Sequence, residues 1–175
     1  DVGGASSRPG AEPVPEAIEI ARVVPALHAL CAAVPANLPI TIDTTSATVA
    51  RAALDAGAAI INDISGLQAD PDLALLAAER GVPVVIMANM RGQIRREILS
   101  DTARYLARGI EIALAAGVPW EHLILDPGFG FGPTPAENMT LIRRLDALLA
   151  LGRPIMLGAS RKSTLGRLLG NTSVE

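Results

Sequence analysis

Aromatic side chains are scarce in this sequence: one Trp, one Tyr and two Phe among 175 residues. A core built without them must rely on Ala, Leu, Ile and Val. Cysteine occurs once, at Cys31, which excludes an internal disulfide and any cysteine-based metal cluster. Basic residues are not in excess: 15 Lys and Arg face 18 Asp and Glu, for a net charge of -3. No basic run is present, which argues against nucleic acid as a partner. No stretch of 18 apolar residues exists, so no membrane partner is expected. What the chain does have is apolar surface. Half of its residues are hydrophobic, enough to offset the entropy of ordering, and disorder is excluded. The length suits one domain. The chain opens at Asp1 in what reads as a strand end and its loop, and closes at Glu175 soon after a helical pattern. It is therefore expected to be an internal fragment. No signal peptide is visible, and a cytoplasmic location is expected.

Short apolar runs alternate with longer helical patterns. The runs are 38–43 (LPITID), 58–63 (AAIIND), 82–87 (VPVVIM), 122–126 (HLILD) and 154–158 (PIMLG). They are nearly continuously hydrophobic, rich in β-branched residues and bounded by Gly or Pro. Such runs suit strands buried on both faces of a parallel sheet. Amphipathic segments at 15–34, 46–56, 70–80, 95–116 and 135–151 predict helices. Pro25 is expected to kink or break the first. The third opens with Asp70-Pro71, an N-cap with Pro at the first helical position. Gly57, Gly81, Gly117 and Gly152 stand where four of the helices should stop. Cys31, in the Ala-rich end of the first helix, is expected to be buried and inert. His28 and His122 lack a carboxylate or Cys partner at metal-ligand spacing and are taken as structural.

A doubly wound sheet and a (β/α)8 barrel both accept this α/β pattern. The strand ends favour the barrel. Asp43, Asn62 with Asp63, and Asp126 directly follow their runs, and barrel strand ends converge on the face where active sites are built. A full barrel needs about 250 residues. This chain is expected to supply one partial-barrel domain over 1–175, with its first and last strands missing. Isolated, such an open barrel is expected to be poorly stable and inactive, because it exposes two strand edges and an apolar interior.

Several carboxylates at one barrel mouth are costly to bury unless a ligand pairs with them. A flat array of N–H donors, such as the 2-amino-pyrimidinone edge of a pterin, would do so, with Asn62 donating and accepting beside it. Each Asp alone is also a reasonable helix N-cap. The opening GGASSRPG carries hydroxyls, glycines and Arg8, which suit phosphate oxygens. A flexible loop that happens to contain Arg is the alternative. In Asp126-Pro127-Gly128-Phe129-Gly130-Phe131-Gly132, the glycines would let backbone approach a ligand and a Phe could cover a ring. The glycine spacing is not the dinucleotide fingerprint, which removes a nucleotide-dependent oxidoreductase. Ser160-Arg161-Lys162-Ser163 follows the last run, where it could bind anions or carbonyl oxygens.

DVGGASSRPG at 1–10, ITIDT ending at Thr44, IINDISGL at 60–67, VVIMANMRG at 84–92, LDPGFGFG at 125–132 and LGASRKS at 157–163 together resemble the dihydropteroate synthase family. Their order and spacing match over essentially the whole chain. The resemblance implies a (β/α)8 barrel, usually dimeric. Its members join p-aminobenzoate to 6-hydroxymethyl-7,8-dihydropterin diphosphate, release diphosphate and use Mg2+. By position it implies that Asp43, Asn62, Asp126 and Lys162 hold the pterin, with Met87 and Gly158 lining the slot. Ser7 and Arg8 would meet diphosphate and p-aminobenzoate, and Pro9, Phe131, Lys162 and Ser163 would shape the aminobenzoate side. No metal ligand is implied within these residues. The sequence departs from the family pattern at Ala5, Ser7, Ala88, Pro133 and Thr164. A non-catalytic or diverged pterin-binding homologue, or a pterin-dependent methyltransferase domain, are the competing readings. The second would not need the SSRPG loop or the SRKS turn.

Overall fold

The computed structural model describes residues 1–160, 162–168 and 170. Arg161 lies outside them. Five strands form one parallel sheet in the order of the chain: β1 (Val2–Gly3), β2 (Thr41–Asp43), β3 (Ile60–Asp63), β4 (Val84–Met87) and β5 (Leu123–Asp126). Between them run α1 (Glu16–Ala33), α2 (Ala47–Asp55), α3 (Pro71–Arg80) and α4 (Ile98–Ala115). A doubly wound sheet reverses its strand order part-way; here each strand pairs with its chain neighbour throughout, as barrel staves do.

Burial separates the two sheet faces. Ile42, Ile61, Val84, Ile86, Leu123 and Leu125 belong to the core cluster shared with the helices. Successive strand residues point to opposite faces. Asp43, Asn62, Val85, Met87, Ile124 and Asp126 therefore line the other face, the inner one. Local chemistry sets the helix ends. Ser46 caps α2 by accepting from the Val49 amide, and Asp70 caps α3 ahead of Pro71. The Glu97 carboxylate accepts from the Leu99 and Ser100 amides, so α4 starts three residues later than its sequence pattern suggests.

Four expectations change. Helix α1 is not broken at Pro25. Pro25 and Ala21 are both exposed, so the carbonyl left without its helical donor can turn to water. Cys31 is exposed rather than buried, because the buried stripe of α1 runs through Val23 and Leu27. Its thiol only grazes the Ala56 and Gly57 carbonyls, at 3.8 and 3.7 Å. The long helix at 135–151 divides into α5 (Pro135–Arg143), α6 (Leu145–Leu148) and a final 3-10 turn. Arg144 leaves helical geometry at φ -117° and ψ 29°, with no Gly or Pro to signal it. The run at 154–158 pairs with β5 only around Leu125, whose amide donates to Pro154 and whose carbonyl accepts from Met156. Its residues alternate in exposure. Helix α7 (Ser163–Leu168) follows. Among the described residues, no helix is long and apolar enough to cross a membrane.

Candidate active site

The strand register aligns the inner-face polar residues. Gly3 pairs with Asp43 and Asp43 with Asn62, while Met87 pairs with Asp126. Four adjacent strands thus deliver Asp43, Asn62, Met87 and Asp126 to one end of one face. Asn62 Nδ2 donates to Asp1 at 3.2 Å, and Thr41 Oγ1 donates to the same carboxylate. Gly3 leaves room here: a Cβ on it would stand 3.4 Å from the Cβ of Asp43.

Burial pushes the Asp43 carboxyl up to about 6, and the negative charges of Asp63 and Glu19 add to the effect. Lys162 acts in the opposite direction. Burial also raises the Asp126 carboxyl, opposed by hydrogen bonds from the Gly128 and Gly158 amides and by the charge of Lys162. The Gly128 bond is 2.7 Å. A Cβ on Gly158 would stand 3.6 Å from Asp126 Oδ2. Lys162 is itself pulled down by burial, with Arg91 adding to the fall and Asp126 and Asp43 opposing it. One ammonium therefore lies within electrostatic reach of both inner-face acids.

Beside these residues opens a cleft of about 520 Å3 lined by Ser7, Arg8, Pro9, Arg91, Gly130, Phe131, Ser160, Lys162 and Ser163. It brings the opening loop, the glycine-rich loop and the SRKS turn to one place. Lys162 Nζ lies 4.0 Å from the centre of the Phe131 ring, and the Arg91 guanidinium 4.4 Å from it. Arg91 also donates to the Ser7 carbonyl at 2.6 Å. Arg91 is a site residue that sequence reasoning missed; its signal was an Arg-Gly pair in the loop after β4. A groove of similar volume between α3 and α4 lies on the helical side, with Leu67, Ala74, Leu75 and Ile112 in its lining, and holds none of these groups.

The glycine-rich loop is packed tightly against the loop after β4 and against Lys162. Its glycines fit closely against neighbouring parts of the protein, and Gly130 also lines the cleft. A Cβ on Gly128 would lie 1.8 Å from the Ala88 carbonyl oxygen, and one on Gly132 would meet the Met90–Arg91 peptide at 2.5 to 2.6 Å. A Cβ on Gly130 would press on the Lys162 stem at 3.1 Å. All three have positive φ. The loops after β4 and β5 thus run together, stitched by the Ala88 amide donating to Asp126 and the Met90 amide to Phe131. Buried Asn138 fixes the far side. It accepts from the Gly130 amide and donates to Pro133 and to Thr164 Oγ1. Pro133 and Thr164, two departures from the family pattern, are both its partners. Ala88, a third, is buried in the core cluster. Both Phe side chains are buried, and of the two only Phe131 lines the cleft. His28 is exposed on α1, and His122 precedes β5 at the opposite end of the sheet.

A family model described as pterin binding enzyme matches residues 1–175. The chain belongs to the pterin binding enzyme family. Among its relatives, the dihydropteroate synthase of Bacillus subtilis (strain 168) is 42% identical over 169 residues, which are 97% of this chain and 59% of that protein. That of Clostridium beijerinckii is 45% identical over 175 residues, 100% of this chain and 64% of the relative. The chain therefore spans roughly three fifths of the relatives it matches. Among solved structures, Xanthomonas albilineans dihydropteroate synthase with 4-aminobenzoic acid superposes with a TM-score of 0.92 at 38% identity, covering 98% of this chain and 62% of that one. The Clostridium difficile enzyme in the presence of pteroic acid gives 0.90 at 38% identity, covering 96% and 64%. These neighbours agree with the α/β barrel class expected from the sequence.

Proposed function

We infer that the protein containing this chain is a dihydropteroate synthase, a transferase of folate biosynthesis. It joins p-aminobenzoate to 6-hydroxymethyl-7,8-dihydropterin diphosphate, giving 7,8-dihydropteroate and diphosphate. The observation that carries this is Lys162. It lines the cleft with Arg8 and Phe131, and its charge reaches the inner-face acids Asp43 and Asp126. One side of the lysine is suited to a donor-rich heterocycle, the other to an anion and an aromatic ring. The relatives, and the structures with 4-aminobenzoic acid and in the presence of pteroic acid, support the same pair of substrates.

In this reading Asp43, Asn62, Asp126 and Lys162 bind the pterin, and Met87 and Gly158 border it. Ser7 and Arg8 meet the diphosphate and the arylamine; Pro9, Phe131 and Ser163 shape the arylamine side. The C–O bond to diphosphate breaks first, and positive charge develops on the pterin methylene. Fixed carboxylates at Asp43 and Asp126 stabilise that charge, and the cations of Arg8 and Lys162 stabilise the departing anion. The neutral amine of p-aminobenzoate then attacks the methylene carbon and releases one proton. No covalent enzyme intermediate is needed.

Magnesium use, a homodimeric assembly and a cytoplasmic location come with the family reading. Among the described residues no group of three or more His, Cys, Asp or Glu side chains is arranged to hold a metal ion; magnesium commonly takes one or two carboxylates together with substrate phosphates. The deciding test supplies both substrates to the full-length protein and assays 7,8-dihydropteroate by mass spectrometry. Product is expected, and its absence overturns the reading. In calorimetry, Asp126→Ala is expected to abolish pterin binding; unchanged affinity would move the pterin elsewhere.

A further inference from the structure

We propose that Arg91 is a positioning residue that holds the Ser7–Arg8–Pro9 segment against Phe131 and so builds the wall of the arylamine subsite. The subsite's identity rests on the dihydropteroate synthase reading; the positioning role does not. One guanidinium makes two unlike contacts. It donates to the Ser7 carbonyl at 2.6 Å and lies 4.4 Å from the centre of the Phe131 ring. Ser7 and Arg91 are 84 residues apart, and this side-chain bond links the opening loop to the loop after β4. A planar cation suits both tasks, because its edge donates while its face stacks.

The base of Arg91 is itself fixed. Its amide donates to Asn89 Oδ1 at 3.3 Å, and the preceding Met90 amide donates to the Phe131 carbonyl at 2.9 Å. Gly132 packs directly on the Met90–Arg91 peptide, where any side chain would collide. The guanidinium therefore springs from a backbone clamped to the same loop that carries Phe131. By contrast, residues 5–10 carry no other described hydrogen bond to a distant part of the chain than that of Ser7. Removing the guanidinium should release this segment while leaving the inner-face acids where they are, since none of Asp43, Asn62 or Asp126 hydrogen-bonds to Arg91.

The test compares the full-length protein with its Arg91→Gln and Arg91→Lys variants. In Arg91→Gln the amide order parameter of Ser7, measured by NMR, is expected to fall into the flexible range below about 0.6. The KM for p-aminobenzoate is expected to rise about tenfold with the loss of the hydrogen bond and the stacked cation, and the calorimetric pterin affinity to hold within about twofold. Arg91→Lys keeps the charge and is expected to fall between the two in both readouts. Equal Ser7 order parameters in wild type and Arg91→Gln overturn the proposal, as does a loss of pterin affinity matching the rise in arylamine KM. Loosened Ser7 in Arg91→Gln with no product from wild type overturns the dihydropteroate synthase reading and supports the positioning role.

Discussion

Asn62 and Asp63 are consecutive in the chain and serve opposite sides of the sheet. Asp63 faces the helices. It is fully buried, and its carboxylate accepts from the Ser65 amide at 2.7 Å, the Ser65 hydroxyl at 2.8 Å and the Leu67 amide at 2.6 Å. The last bond holds Leu67 at φ 63°, a left-handed conformation that a leucine adopts only under constraint. Asn62 faces inward with Asp43 and Asp126, where Asp126 accepts from the Gly128 amide at 2.7 Å and Asp43 is the less satisfied acid. Asp43 has no side-chain hydrogen bond among the described residues, and its carboxyl is raised to about 6, mainly by burial. The same sequence signal, an acid ending an apolar run, thus marks a turn brace on one face and an underserved carboxylate on the other. Only the second leaves a demand that a ligand can meet.

That contrast can be broken by mutation. The largest effect should come from Asp63→Ala, which leaves the half-buried Ser65 amide and the buried Leu67 amide without an acceptor. At about 1–3 kcal/mol per orphaned group, a loss of about 4 kcal/mol is expected in urea unfolding of the full-length protein. A loss below about 1 kcal/mol would show that Asp63 is not the brace. Next comes Asn138→Leu, which strands the Gly130 amide and the Thr164 hydroxyl; about 3 kcal/mol should be lost by the same measurement. Gly132→Ala should cost about 2 kcal/mol, from its left-handed φ of 109° and its collision with the Met90–Arg91 peptide. Differential scanning calorimetry would detect it as a lowered Tm. Retained stability there would mean that the two loops part easily.

Much of this was legible before any coordinates. The strand runs, and the polar residues Asp43, Asn62 and Asp126 at their ends, could be read from the sequence; that Asn62 and Asp63 face opposite ways follows only once Ile61 is placed in the core. The order of strands and helices, and the caps at Ser46 and Asp70, follow from local chemistry. What was hidden depends on distant partners. The three glycines of the β5 loop look alike in sequence, yet two fit against the β4 loop and one against Lys162. Arg91 acquires its role from a carbonyl 84 residues away. The break at Arg144 has no Gly or Pro to announce it. The 154–158 run has strand composition, but pairing needs a neighbour, and β5 meets it only around Leu125.

The most direct test is Asp43→Asn, followed for both stability and pterin affinity across pH. A carboxyl whose folded value is raised above its ordinary one is ionised at a cost to the fold. Stability from this group is greatest when it is protonated, falls as pH rises from about 4 through about 6, and then levels. Asparagine removes that slope. The variant is expected to be at least as stable as wild type at pH 7 and to lose pterin binding by calorimetry. A variant that is less stable at pH 7 yet binds pterin as before would contradict the account, because Asp43 would then serve the fold and not the ligand.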